Sequence, residues 1–205
     1  MNISQQFAPP FKLVGSFFIS AMIIFFISIL LLFNFDINLI HTQNSLVLSW
    51  VHLYLLGFVM MSIFASMAQL LPVVLEVEHF SIDLYYVVNP LLFMGTTLIF
   101  IGFYKYPMVL SYGGVIVFIS FFIFLFESFL TIKKVKKLNF LSSTVLVANI
   151  FLFLGLVVAI VLSFVYSGVL FLNIKALMLS HIYLVFVGYL GITIISMSYI
   201  LIPMF

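Results

Sequence analysis

The chain has 205 residues, of which 66% are hydrophobic and 6% are charged, with a formal net charge of +2 and no cysteine. A soluble globular domain has about 25% charged residues, so this composition excludes an ordinary water-soluble protein, and the hydrophobicity excludes a disordered chain. The small net charge does not indicate a basic surface for binding nucleic acid. The lack of Cys excludes disulfides, zinc–thiolate sites and iron–sulfur clusters. We therefore predict a polytopic protein of the lipid bilayer with no nucleic-acid partner.

Six stretches are long and apolar enough to cross a bilayer, which takes about 20 residues. Each is expected to be a helix, because hydrocarbon offers no partner to an unpaired backbone amide. The sequence thus predicts an all-α bundle of six transmembrane helices in one membrane domain, residues 1–205. The predicted spans are Leu13–Phe35, Leu46–Leu75, Leu84–Tyr104, Pro107–Thr131, Leu141–Tyr166 and Ile174–Pro203.

The distribution of lysines predicts the orientation of these spans. Lys133, Lys134, Lys136 and Lys137 form the strongest basic cluster, between the fourth and fifth spans. Positively charged loops stay on the cytoplasmic side, which places the N-terminus in the cytoplasm. The membrane itself is expected to be the inner membrane of a bacterium.

The second and sixth spans resemble each other. Gly57 is followed 15 residues later by Pro72, and Gly188 is followed 15 residues later by Pro203. If this similarity is an internal repeat, its unit is four helices long, and the copies are related by an axis along the membrane normal.

Each of these two spans carries a histidine close to its predicted outer end, His52 and His181. Polar groups at that depth are costly and are usually functional, and two imidazoles at one level suit the axial ligation of a haem iron. We predict haem b as cofactor. Copper is an alternative, since Met178 lies one turn before His181. Hydrogen bonding of each imidazole to a neighbouring serine or carbonyl group is a purely structural alternative.

Helical spacing assigns further residues to the faces that carry the histidines. Gly188 and Gly191 follow His181 at +7 and +10 and would leave room for a flat ring. Ser62 and Ser66 follow His52 and would satisfy polar substituents of the ring. These small residues would equally permit close helix packing.

The order His52, Gly57 and then Leu70-Leu71-Pro72 resembles spans of the haem-copper oxidase subunit I superfamily, which includes the nitric oxide reductases. The segment from Phe7 to Phe11 is also similar to it. The resemblance implies three four-helix arcs about a pseudothreefold axis, of which this chain would hold a part, as a short six-span relative. It implies a low-spin haem ligand at His52.

The same resemblance puts His181 at the position where catalytic members hold a ligand of the second metal. This chain lacks the adjacent His pair and the later helices of that site, so we expect no catalysis by the chain alone. The expected role is electron transfer, sensing of haem or gas, or support of a respiratory complex, with other subunits or a second copy as partners. A structural or assembly subunit without haem, or a small dimeric transporter, is the alternative.

Two further polar residues are assigned to the inner surface. Glu127 lies before the lysine cluster and is expected to extend its carboxylate to that surface. His79 lies in a loop and is expected to be solvated.

Overall fold

The computed structural model describes residues 7–35 and 44–202, which contain six helices and no strand. The prediction of an all-α bundle is confirmed, and all six helices have the length and apolar composition of membrane spans. The end of the sixth predicted span, at Pro203, lies outside the described residues. The helices are α1 (Phe11–Leu32), α2 (Ser45–Leu75), α3 (Asp83–Tyr104), α4 (Val109–Ile132), α5 (Phe140–Tyr166) and α6, which consists of Ile174–Ile182, Tyr183–Gly191 and Ile192–Leu201.

Asparagine side chains fix the starts of three helices. Asn44, Asn139 and Asn173 each precede the first helical residue, and each side-chain oxygen accepts a hydrogen bond from a backbone N–H of the first turn. Such caps satisfy amides that lack a partner within the helix. Helices α2 and α6 therefore begin at defined residues, which places His52 and His181 each at the eighth residue of its helix.

The same two helices contain long π-helical segments. Leu53–Met60 follows His52 directly, and Tyr183–Gly191 begins two residues after His181. π-Helices are rare and are found mostly as single turns at functional sites. In the register that aligns Gly57 with Gly188, the first segment corresponds to residues 184–191, so the two irregular segments coincide. This agreement in backbone geometry supports an internal repeat.

The two aligned glycines also have equivalent surroundings. A Cβ atom on Gly57 would collide with Ile24 of α1, and a Cβ atom on Gly188 would collide with Phe151 of α5. Each glycine thus lets its helix pack closely on the preceding helix, α2 on α1 and α6 on α5. These are the two pairs that the expected four-helix repeat would relate.

Consecutive helices pack against each other along the bundle, and α1 also contacts α3. Helices α3 and α4 approach each other closely. A Cβ atom on Gly113 of α4 would lie 2.9 Å from the backbone nitrogen of Ile99, and one on Gly95 of α3 would lie 3.0 Å from the backbone nitrogen of Val117. Small residues allow such contact between membrane helices, and a backbone atom cannot move aside as a side chain can.

We predict that Gly113→Ala lowers the free energy of unfolding by about 1–3 kcal/mol, because the added methyl group overpacks the α3–α4 contact. The matched control is Gly15→Ala, where a Cβ atom would come no closer than 3.7 Å to a neighbouring side chain. The control should be neutral or slightly stabilising, since Ala favours helix. Unfolding of both variants in mixed detergent micelles measures the difference, and equal stabilities would contradict the prediction.

Candidate functional site

A cavity of about 270 Å³ lies inside the bundle, between α2, α4, α5 and α6, with α3 closing one side. Its size approaches the lower end of the range for ligand pockets, about 300–1000 Å³, and is far larger than the space of a single water molecule. The lining is almost entirely aliphatic and aromatic. The polar side chains in it are His52, His181, Ser163 and Tyr166.

The structure brings the two predicted histidines to this one cavity. His52 enters it from α2 and His181 from α6. Nδ1 of His52 lies 2.8 Å from the Leu48 carbonyl oxygen, and Nδ1 of His181 lies 3.1 Å from the Gly155 carbonyl oxygen on α5. The His52 ring also packs against Phe103, with 5.0 Å between ring centroids.

These carbonyl contacts determine the tautomer of each imidazole. A carbonyl oxygen only accepts, so Nδ1 of each ring carries the proton and donates it. Nε2 of each ring then holds a free lone pair, and within the described residues neither Nε2 forms a hydrogen bond. The result is a pair of neutral imidazoles with fixed orientation. Each has an unprotonated Nε2 in an apolar cavity, and its lone pair is free to bind a metal ion.

The other four predicted site residues do not line the cavity. Gly188 packs against Phe151 of α5, and a Cβ atom on Gly191 would meet the Phe186 carbonyl oxygen at 3.4 Å. Ser66 donates a hydrogen bond to the carbonyl oxygen of Ser62, 2.9 Å away, within α2. Gly188 therefore permits close helix packing, and the Ser66 hydroxyl is hydrogen-bonded within its own helix.

The π-helical segments explain this difference from the expected faces. The expectation extended a regular α-helical spacing from each histidine. The i→i+5 hydrogen bonds of a π-helix widen each turn, so residues beyond Leu53–Met60 rotate away from the His52 face. Ser62 and Ser66 lie beyond that segment, and Gly188 and Gly191 lie within the corresponding segment of α6.

Sulfur is also present in the cavity wall. Met178 lines the cavity one turn before His181, and the Tyr166 hydroxyl lies 4.0 Å from its sulfur atom. Within residues 7–35 and 44–202, however, no group of three or more His, Asp or Glu side chains surrounds a common point. The cavity therefore offers two imidazoles and a thioether, without carboxylates.

A second polar cluster lies where the α2–α3 loop meets α4, and the sequence analysis missed it. The Glu127 residue is 1% exposed and the His79 side chain is 6% exposed. The expectations of a carboxylate at the surface and a solvated imidazole are therefore wrong. His79 Nδ1 lies 2.8 Å from Glu127 Oε1, and His79 Nε2 lies 2.8 Å from the Ala68 carbonyl oxygen.

A proline in α2 explains why His79 is buried. Pro72 has no N–H, so the carbonyl of Ala68, four residues earlier, lacks its usual helical partner. His79 supplies the missing donor. The ring thus connects the Ala68 carbonyl oxygen of α2 to the Glu127 carboxyl group of α4. The combination of Pro72 with a histidine seven residues later was the available sequence signal.

Hydrogen bonds from α4 hold the loop in place around this pair. Thr131 donates to Glu127 Oε1 at 2.7 Å and accepts from the backbone N–H of Phe80 at 2.9 Å. The Lys134 ammonium donates to the carbonyl oxygens of His79 and Glu78, at 2.7 and 3.2 Å. The loop after α2 and the lysine cluster after α4 therefore lie at the same end of the bundle.

Comparisons of this chain with protein family models, with curated protein sequences and with solved structures give no match.

We predict that His79→Ala lowers the free energy of unfolding by about 3–5 kcal/mol, because it leaves the buried Glu127 carboxyl group without this partner. The double variant His79→Leu/Glu127→Leu should be more stable than the single variant, since apolar residues can replace both members of a buried pair at small cost. Unfolding in mixed micelles provides the measurement. A double variant less stable than His79→Ala would contradict the assignment of a buried pair.

Proposed function

We propose that the protein binds one b-type haem in the cavity, where His52 and His181 would hold its iron. The observation that carries this proposal is the pair of neutral imidazoles in one apolar cavity, each held by a carbonyl at Nδ1 and free at Nε2. A porphyrin supplies four of the six ligands of iron, so two nitrogens from the protein complete the set.

The chemistry of the cavity fits this group. Metal-binding histidines almost always donate their second N–H to a carbonyl or carboxylate, which fixes the ring and raises its basicity. The Leu48 and Gly155 carbonyl oxygens have this role for His52 and His181. Aromatic side chains such as Phe103 and Phe121 in the wall provide apolar contact and exclude water. Haem bound there would supply a one-electron couple.

The function that we infer is electron transfer, sensing of haem or gas, or support of a respiratory complex in the membrane. The resemblance of the second span to subunit I of the haem-copper oxidases supports a low-spin ligand at His52. We assign no catalytic step to the chain.

We further propose that the protein lies in the inner membrane of a bacterium with Lys133–Lys137 in the cytoplasm. The contact of Lys134 with the α2–α3 loop supports a common side for these two segments. The cavity is then close to the outer surface. His52 and His181 each lie about two turns from the first residue of their helices, and both helices begin on the side opposite to the lysine cluster.

The central prediction concerns the optical spectrum. Protein purified from haem-replete cells should show the reducible Soret and α bands of a b-type haem with two axial nitrogens. In His52→Ala and in His181→Ala the low-spin spectrum should be lost, and added imidazole should restore it by replacing the missing ligand. The matched control His41→Ala, a histidine without a role in the proposal, should retain the wild-type spectrum.

Two outcomes would refute the haem site. One is colourless protein that is folded and isolated from haem-replete cells. The other is a low-spin spectrum that survives both alanine substitutions. Both outcomes would favour the structural role, in which the histidines only hydrogen-bond to backbone carbonyl oxygens.

The orientation can be tested with single cysteines, because the chain has none of its own. Lys136 and Met108 are both exposed, at opposite ends of α4. In intact cells a membrane-impermeant thiol reagent should label Met108→Cys, while Lys136→Cys should become reactive only after permeabilisation. The reverse pattern would overturn the proposed orientation.

A further inference from the structure

The cavity that holds His52 and His181 is not closed on every side. Of the described residues that line it, two on α6 are exposed, Ile182 at 38% and Phe186 at 42%. The other lining residues are buried or half-buried. The cavity therefore opens on the α6 side, at Ile182 and Phe186, which lie about one turn apart.

The packing of α6 explains why the cavity opens here. Helix α6 packs against α5, and this contact is close, because a Cβ atom on Gly155 of α5 would lie 2.8 Å from the Val185 side chain. Among the described residues no packing contact of similar extent joins α6 to α2, although both helices line the cavity. The gap between α2 and α6 thus leads from the cavity to the exterior of the bundle.

The opening lies at the depth of the hydrocarbon. Phe186 is at the middle of the 26-residue span Ile174–Tyr199. Next to the opening, on the outer face of α6, Tyr183 and Val187 are 65% and 63% exposed. In a bilayer with a hydrocarbon core about 30 Å thick, an exposed residue at the middle of a span faces acyl chains and not water. The cavity therefore opens to lipid.

The part of the cavity near the helix ends is less exposed. Val47 near the start of α2, Tyr166 at the end of α5 and Met178 near the start of α6 are all half-buried. The Tyr166 hydroxyl lies 4.0 Å from the Met178 sulfur, so α5 and α6 are in contact there. A ligand from the aqueous phase would have to pass these side chains, whereas a ligand from the lipid would meet the exposed part of the cavity wall.

We propose that the cavity takes up its ligand laterally from the bilayer, through the opening between α2 and α6 at Ile182 and Phe186. This inference rests on the proposed function, so the ligand is haem b dissolved in the lipid. Transfer of apolar surface from water is favourable, which concentrates a porphyrin in the membrane. Ile182 and Phe186 offer it apolar contact along the route to the Nε2 atoms of His52 and His181.

The test measures the rate of haem uptake by the full-length protein in liposomes, after production in haem-deficient cells. Haemin is added to the liposomes, and the development of the low-spin spectrum is followed with time. We expect Ile182→Trp and Phe186→Trp each to slow this uptake by about tenfold, because the larger side chain obstructs the opening. The final spectrum should equal that of the wild type, since His52 and His181 are retained.

The matched control is Val187→Trp, which introduces the same side chain on the exposed face of α6 but outside the cavity lining. This variant should take up haem at the wild-type rate. Ile182→Ala and Phe186→Ala should accelerate uptake, because they widen the opening. They keep the proposal testable if a tryptophan variant fails to fold.

Three outcomes would overturn the lateral route. Equal rates in the wild type and in all variants at Ile182 and Phe186, each with the complete low-spin spectrum, would refute the route and leave the haem site in place. A control variant Val187→Trp that is slowed as much as Phe186→Trp would also refute the route alone. A wild type that takes up no haem would refute the proposed function, and this inference with it.

Discussion

The need to satisfy polar groups without water governs the arrangement of this bundle. In hydrocarbon each backbone amide and carbonyl must find its partner within the protein, and a side chain that enters the interior must do the same. His52 and His181 each donate a hydrogen bond to the carbonyl oxygen of a helical residue. His79 donates to a carbonyl oxygen that has no backbone donor because Pro72 lacks an N–H. All three imidazoles are thus oriented by main-chain oxygens, although only the first two retain a free nitrogen.

The six spans could be predicted from hydropathy alone, because their length and composition leave few alternatives. The common location of His52 and His181 could also be predicted, since both lie near the start of helices that run in the same direction. The remaining residues of the predicted site could not. Their assignment assumed 3.6 residues per turn, and no feature of the sequence signals that Leu53–Met60 and Tyr183–Gly191 adopt a wider helix.

The cluster around Glu127 was missed for a different reason. A carboxylate near a helix end and a histidine in a loop each have an ordinary solvated interpretation when they are considered separately. Their pairing depends on the fold of the α2–α3 loop against α4, which brings together residues 48 positions apart. Long-range polar contacts of this kind have no periodic pattern, so hydropathy and helical spacing do not detect them.

The pairing of His79 with Glu127 has a consequence for biogenesis. His79 is synthesised before α4, so when it emerges from the ribosome its partners Glu127 and Lys134 do not yet exist. Its ring therefore remains in an aqueous or interfacial environment until the fourth span is inserted. Closure of the α2–α3 loop then follows insertion of that span, and the first half of the protein reaches its final packing only after translation has passed residue 134.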